Sequence, residues 1–129
     1  MIVVDSSALV AIAEGEPEAG RFAAILADTD IAWLSPTNYV ETAMVLIGRG
    51  LISNQARLDR FLADANVQVR HDLALSEGAV QAFLRYGKGR HPARLNLGDC
   101  FAYALAKHLD APLLYKGDDF ALTDVRAAM

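Results

Sequence analysis

Short apolar runs alternate with longer amphipathic segments along the whole chain. Ile2–Val4 is an aliphatic run that stops at Asp5, as a parallel strand buried on both faces does. Ser6 is placed to cap a helix through Ala8–Ala13, which Gly15 ends, and Pro17 opens a second helix over EAGRFAAILA. Ile31–Leu34 is a second strand. Ser35–Pro36 starts a third helix, with Val40, Ala43, Met44 and Ile47 spaced to share one face and Gly48 and Gly50 to end it. Ser53 is the expected cap of a fourth helix with Leu58, Phe61 and Leu62 as its stripe. Val67–Val69 follows as a strand and Ser76–Tyr86 as a fifth helix. Gly87–Leu95, with its glycines and proline, is a loop. Asn96 caps a sixth helix that turns Ala102, Leu105, Ala106 and Leu109 inward, and Pro112–Tyr115 is the last strand.

Strand and helix in alternation predict an α/β fold with a mostly parallel central sheet. No repeat, low-complexity tract or linker divides the chain, so residues 1–129 are expected to form one domain. At 53% apolar residues, a chain of this length can build its core without disulfides or a structural metal. The single cysteine, Cys100, has no internal partner, which together with the lack of a basic leader before Asp5 points to a reducing, cytoplasmic setting. No stretch nears the roughly 20 apolar residues of a membrane span.

Charge complicates any nucleic-acid reading. The net charge is −4, yet residues 85–94 hold Arg85, Lys88, Arg90 and Arg94 without one acid among them. Such a segment is either a phosphate-binding edge or an ordinary solvated loop.

The acids show where chemistry could sit. Ligands of open parallel sheets bind beyond the carboxyl ends of the strands. Asp5 ends the first strand there, and Asp118 and Asp119 follow the last. Glu41 and Asp99 fall in the first turns of helices that should start at the same edge. A helix-start carboxylate has its own structural use, Asp99 as the capping-box partner of Asn96. Asp5 is harder to explain that way, because a buried unpaired carboxylate is costly. Carboxylates gathered at one edge repel unless a cation sits among them, and oxygen-only ligation suits Mg²⁺ or Mn²⁺. Such ions serve phosphodiester hydrolysis.

Other chemistries fail on spacing. No phosphate-cradling G-x-x-x-x-G-K-[ST] loop is present, and His71, His91, His108 and Cys100 do not fall at zinc-ligand spacings. Cys100 reads as core, and His91 has a functional case only through its basic neighbours.

Four segments together resemble PIN-domain nucleases of the VapC toxin type. They are MIVVDSSALVAIAEGEPEA with its Asp5-x-Ser7-Ala8 element, SPTNYVETAMVL around Glu41, YGKGRHPARLNLGDCFAYALAK around Asp99, and PLLYKGDDFALTD. The resemblance spans nearly the full chain and keeps the acids in order. It implies a three-layer α/β/α PIN-like domain and a Mg²⁺- or Mn²⁺-dependent endoribonuclease. It also implies a homodimer that a small cognate antitoxin inhibits. Asp5, Glu41 and Asp99 are then the core acids, with Asp118 or Asp119 as the fourth. Asp119, next to Phe120, is preferred, and Asp5, Asp99 and Asp119 are the expected metal ligands. Arg85, Lys88, Arg90 and Arg94 are the expected RNA contacts.

Two alternatives compete. A haloacid-dehalogenase-like phosphatase also uses an aspartate after its first strand but needs a second acid where Ser7 stands. A catalytically silent PIN or receiver-like binding module would lack a use for the acids, and a receiver would carry its paired acids after the first strand.

Overall fold

The computed structural model describes residues 1–129. The elements run β1 (Ile2–Val4), α1 (Ser6–Glu14), α2 (Ala19–Asp28), β2 (Ala32–Leu34), α3 (Pro36–Gly48), α4 (Gln55–Asp64) and β3 (Val67–Val69). Then come α5 (Ser76–Tyr86), α6 (Leu97–Leu109), β4 (Leu113–Leu114) and a 3₁₀ turn at Phe120–Leu122. The four strands lie in the order β3-β2-β1-β4, every neighbouring pair parallel. Val3 is in register with Trp33 on one side and Leu113 on the other.

Period-two alternation divides the core even though every residue of β1 is buried. Val3 and Leu113 face α5 and α6, packing with Ala79, Ala82, Ala102 and Leu105. Ile2, Val4, Ala32, Leu34 and Leu114 face the other way, onto Leu9, Phe22, Leu26, Leu58 and Leu62 of α1, α2 and α4. The result is the α/β/α sandwich that the alternation predicts. Each fully buried leucine in it is worth about 1.5–3 kcal/mol. No helix is long and apolar enough to cross a membrane.

The strand order fixes where a ligand can enter. From β1 the chain moves outward to β2 and β3, then returns to place β4 on the opposite side of β1. Connections leaving β1 and β4 therefore diverge and open a crevice at their carboxyl ends. Asp5 and the segment from Lys116 to Asp119 occupy that crevice by position alone.

Two expectations need correction, and the orientation of one helix is not what its apolar stripe suggests. Asp5, not Ser6, is the N-cap of α1, its side chain accepting from the Ser7 N–H. Asn54, not Ser53, caps α4. In both cases adjacent residues can cap, and the backbone decides which one takes extended φ/ψ. That helix is α3. Its Val40, Met44 and Ile47 stripe faces outward, at 53%, 71% and 43% exposure. The buried face carries Asn38, Thr42 and Leu46 instead. Polar contacts at the helix start, rather than its apolar stripe, orient this element.

Candidate active site

Asp5 does two jobs in the backbone before any chemistry. Its N–H donates to Leu114 O of β4 at 2.9 Å, and its Oδ2 accepts from Ser7 N at 3.0 Å to start α1. The side chain is almost wholly buried, and Oδ1 has no hydrogen-bond partner. Burial pushes its carboxyl up to about 6, partly opposed by the Ser7 hydrogen bonds, with the charge of Glu41 adding to the rise.

Asp99 is the third residue of α6 and closes a capping box. Its N–H donates to Asn96 Oδ1 at 3.0 Å, while its Oδ2 accepts from Asn96 N at 3.1 Å. The capping role weighed against a functional one therefore exists, but it uses only one carboxylate oxygen. Burial foremost, then the charge of Asp5, pushes this carboxyl up to about 7, against the Asn96 N–H; Glu41 and Asp119 push the same way as burial. Asp99 thus feels all three of the other acids at once.

Glu41 reaches this point because of what lies beneath it. Three residues earlier in α3, Asn38 is fully buried. Its Nδ2 donates to Ser6 Oγ at 3.1 Å and to Gly98 O at 3.0 Å, and its Oδ1 accepts from Ser35 Oγ at 2.6 Å. One side chain so ties the starts of α1, α3 and α6 together. Residues three apart share a helix face, so Glu41 is directed toward α6, over Gly98. A Cβ at Gly98 would lie well under 3.0 Å from both Glu41 carboxylate oxygens. The missing side chain of Gly98 is the space the Glu41 carboxylate fills.

Asp119 is exposed, at the turn after β4, and makes no capping hydrogen bond. Its charge acts on Asp99, whereas that of Asp118 acts on Tyr115. Of the two, Asp119 is the one whose charge reaches one of the other acids.

Asp5, Ser7, Glu41 and Asp99 border a cleft of about 480 Å³ along with two cations, Arg49 and Lys116, while Asp119 lies outside its lining. No three His, Cys, Asp or Glu side chains already converge into a coordination shell. A hard cation here would therefore take further ligands from water and phosphate oxygens, as Mg²⁺ ordinarily does. The donor set fits it: oxygen only, mutually repelling, with one buried carboxylate oxygen that no protein group satisfies.

The basic loop fits its expected role less directly. Arg85 pairs with Asp124 at 3.4 Å and lies over the Tyr86 ring. Arg90 donates to Leu84 O at 3.1 Å and sits over Phe83. Lys88 and Arg94 are exposed. None of the four borders the acid cleft. His91 is a loop staple, its Nδ1 accepting from Ala93 N at 3.0 Å. Cys100 is buried, and burial with the Asp99 charge pushes its thiol up to about 11, so it is core as expected. Sequence reasoning missed Asn38, Gly98, Arg49 and Lys116 as parts of the site. Only Lys116 carried a usable signal, following the last strand as Asp5 follows the first.

Comparison with known proteins places this geometry. The PIN domain family matches residues 2–125. Ribonuclease VapC of Mycolicibacterium smegmatis is 46% identical over 127 residues, covering 98% of each chain. Ribonuclease VapC30 of Mycobacterium tuberculosis is 45% identical, covering 96% of this chain and 95% of its own. Among solved structures, Mycobacterium tuberculosis VapC20, described as a sarcin-ricin loop cleaving toxin, superposes with a TM-score of 0.70 at 20% identity. That match covers 97% and 96% of the two chains and speaks for the fold. This chain belongs to the PIN-domain family and, within it, to the VapC-type ribonucleases.

Proposed function

We propose that this protein is a Mg²⁺- or Mn²⁺-dependent endoribonuclease acting as the toxin of a toxin–antitoxin pair. The observation that carries the metal dependence is the buried, unpartnered Oδ1 of Asp5 beside Asp99, whose proton is held to about pH 7. Ionising both without a counter-charge is unfavourable, and a divalent cation removes that penalty. Asp5, Asp99 and Asp119 are the residues that would hold the ion, with Glu41 completing the set. When bound, the ion polarises a phosphoryl oxygen and acidifies a water.

The chain's own groups supply the rest. Capping geometry fixes one oxygen of Asp5 and one of Asp99, leaving the other oxygen of each for a ligand. Asn38 holds the three helix starts in one register, and Gly98 seats the Glu41 carboxylate. Preorganised charge of this kind needs no rearrangement at the moment of reaction.

The partners follow from the same reading. RNA is the substrate, a small cognate antitoxin the inhibitor, and a homodimer the assembly. The outward apolar face of α3, continued by Leu97 at 72% exposure, supports a protein–protein contact there. The phosphatase alternative has no support at Ser7, whose Oγ accepts from Lys116 N at 3.0 Å.

The test compares wild type, Asp5→Asn and Asp99→Asn on an RNA oligonucleotide and on a small phosphate ester, each with Mn²⁺. Wild type should cleave only RNA, and both variants should be inactive while melting in EDTA at or above the wild-type temperature. Cleavage by wild type in EDTA, or loss of activity only through unfolding, overturns the reading.

A further inference from the structure

The acid cleft has the wrong sign for a polyanion, and the only cations that border it are Lys116 and Arg49. Both are engaged by one acidic turn. Arg49, at the end of α3, pairs with Glu14 at 2.7 Å. Lys116, just after β4, pairs closely with Glu16 and reaches Glu18 at 3.5 Å. The segment Glu14-Gly15-Glu16-Pro17-Glu18, from the last residue of α1 to the residue before α2, therefore neutralises both basic groups at the mouth of the cleft.

Lys116 is held in place from its backbone outward. Its N–H donates to Ser7 Oγ, and the Ser7 N–H in turn donates to Asp5 Oδ2. The root of the lysine is thus two hydrogen bonds from the buried aspartate, while its side chain stays 36% exposed at the rim. A flexible stem on a fixed root lets the ammonium exchange one oxyanion partner for another. The pair with Glu16 is partly solvated, and partly solvated ion pairs are worth little.

We propose that Lys116, assisted by Arg49, is an RNA-phosphate contact beside the acid site, and that Glu16 occupies Lys116 until a phosphate replaces it. Glu16 then acts as a built-in competitor that weakens RNA binding to the free protein. The proposal rests on the ribonuclease reading for its ligand class, and it assigns the phosphate contact to groups distant in sequence from the basic loop.

The experiment measures binding of a fluorescent 12-nucleotide RNA in EDTA over a series of salt concentrations. The proteins are wild type, Lys116→Met, Glu16→Gln and the double variant, with Lys116→Arg as the conservative control. Lys116→Met should weaken binding by roughly threefold to tenfold, one charge-assisted contact net of its competing pair. It should also flatten the salt dependence by about 0.7 in slope. Lys116→Arg should restore both. Glu16→Gln should tighten binding, and that gain should vanish in the double variant. An equal gain in both backgrounds means that Glu16 acts only through its field, and the competitor role falls. Unchanged affinity and slope in Lys116→Met, or no binding by wild type at low salt, overturns the phosphate contact. Mn²⁺ affinity, measured alongside, should be unchanged or tighter in Lys116→Met, since a cation leaves the site. Weaker Mn²⁺ binding would show a disrupted site and overturn the assignment. Failure of the ribonuclease reading is seen separately, as wild type that does not cleave RNA with Mn²⁺.

Discussion

Gly98→Ala separates the stability of this fold from the placement of its acids. Gly98 lies in the first turn of α6 with an ordinary helical backbone, so alanine there needs no change in φ, and its φ is not among the positive ones. On propensity alone, alanine should stabilise the helix by up to about 1 kcal/mol. The added Cβ, however, enters the space held by both Glu41 carboxylate oxygens. The far end of a flexible side chain can yield, at about 0.5–1.5 kcal/mol if it leaves its rotamer. The two contributions nearly cancel, so the melting temperature should stay within a few degrees of wild type. Activity should not survive as well, because a misplacement of about 1 Å in a reacting constellation can cost on the order of 100-fold. Glu41 also contributes to the raised carboxyls of Asp5 and Asp99, so its retreat should lower the pH at which both ionise. Single-turnover RNA cleavage with Mn²⁺ across pH, beside thermal melting, measures all three. A variant that melts normally and cleaves at the wild-type rate would show that the seat over Gly98 has no part in the reaction.

Three further outcomes follow from the same site. Between about pH 4 and 7 the folded protein keeps protons on Asp5 and Asp99 that the unfolded chain has released. Stability must therefore fall as pH rises through that window. The lowered carboxyls Asp72 and Asp124 titrate below it. Melting in EDTA should accordingly occur at a higher temperature near pH 5 than near pH 7.5, and Asp99→Asn should flatten the trend; a wild-type rise with pH contradicts it. Mn²⁺ at a hundredfold excess over its Kd should stabilise the wild type by roughly 2.7 kcal/mol and Asp5→Asn by less, and equal gains would place the ion elsewhere. Arg90→Ala with Arg94→Ala tests the basic loop: if it binds RNA, affinity and salt slope both fall with Mn²⁺ binding unchanged, whereas superimposable lines leave Arg90 as the partner of Leu84 and Phe83.

Much of this site is visible in the sequence because its acids stand at places that chain direction alone identifies. Asp5 ends a strand that is apolar on both faces, and Asp99 sits three residues after a capping asparagine. Those signals are local. What stays hidden is pairing between distant segments. The charges of the 85–94 loop can be counted, but Asp124, the partner of Arg85, is 39 residues away. Arg49 and Lys116 come from opposite halves of the chain, and they meet the acids only once α3 packs on α1 and β4 lies beside β1. The two misplaced caps show the converse limit. Where neighbouring residues can each accept the hydrogen bond, local chemistry does not choose between them.

The orientation of α3 shows why apolar periodicity misleads at a functional site. Its apolar stripe would satisfy a core, yet the helix buries Asn38 and Thr42 in its place. Burying an amide is costly unless every polar atom finds a partner. Here Asn38 donates to Ser6 and Gly98 and accepts from Ser35, while Thr42 donates to Asn38 O at 2.7 Å. That saturation permits the polar face to turn inward, and turning it inward is what directs Glu41 onto α6. The opposite rotation would bury Val40 and Met44 but carry Glu41 away from Asp5 and Asp99. One choice of rotation therefore assembles the acids and leaves an apolar surface outside. The site and the exposed face of α3 are two consequences of the same buried asparagine.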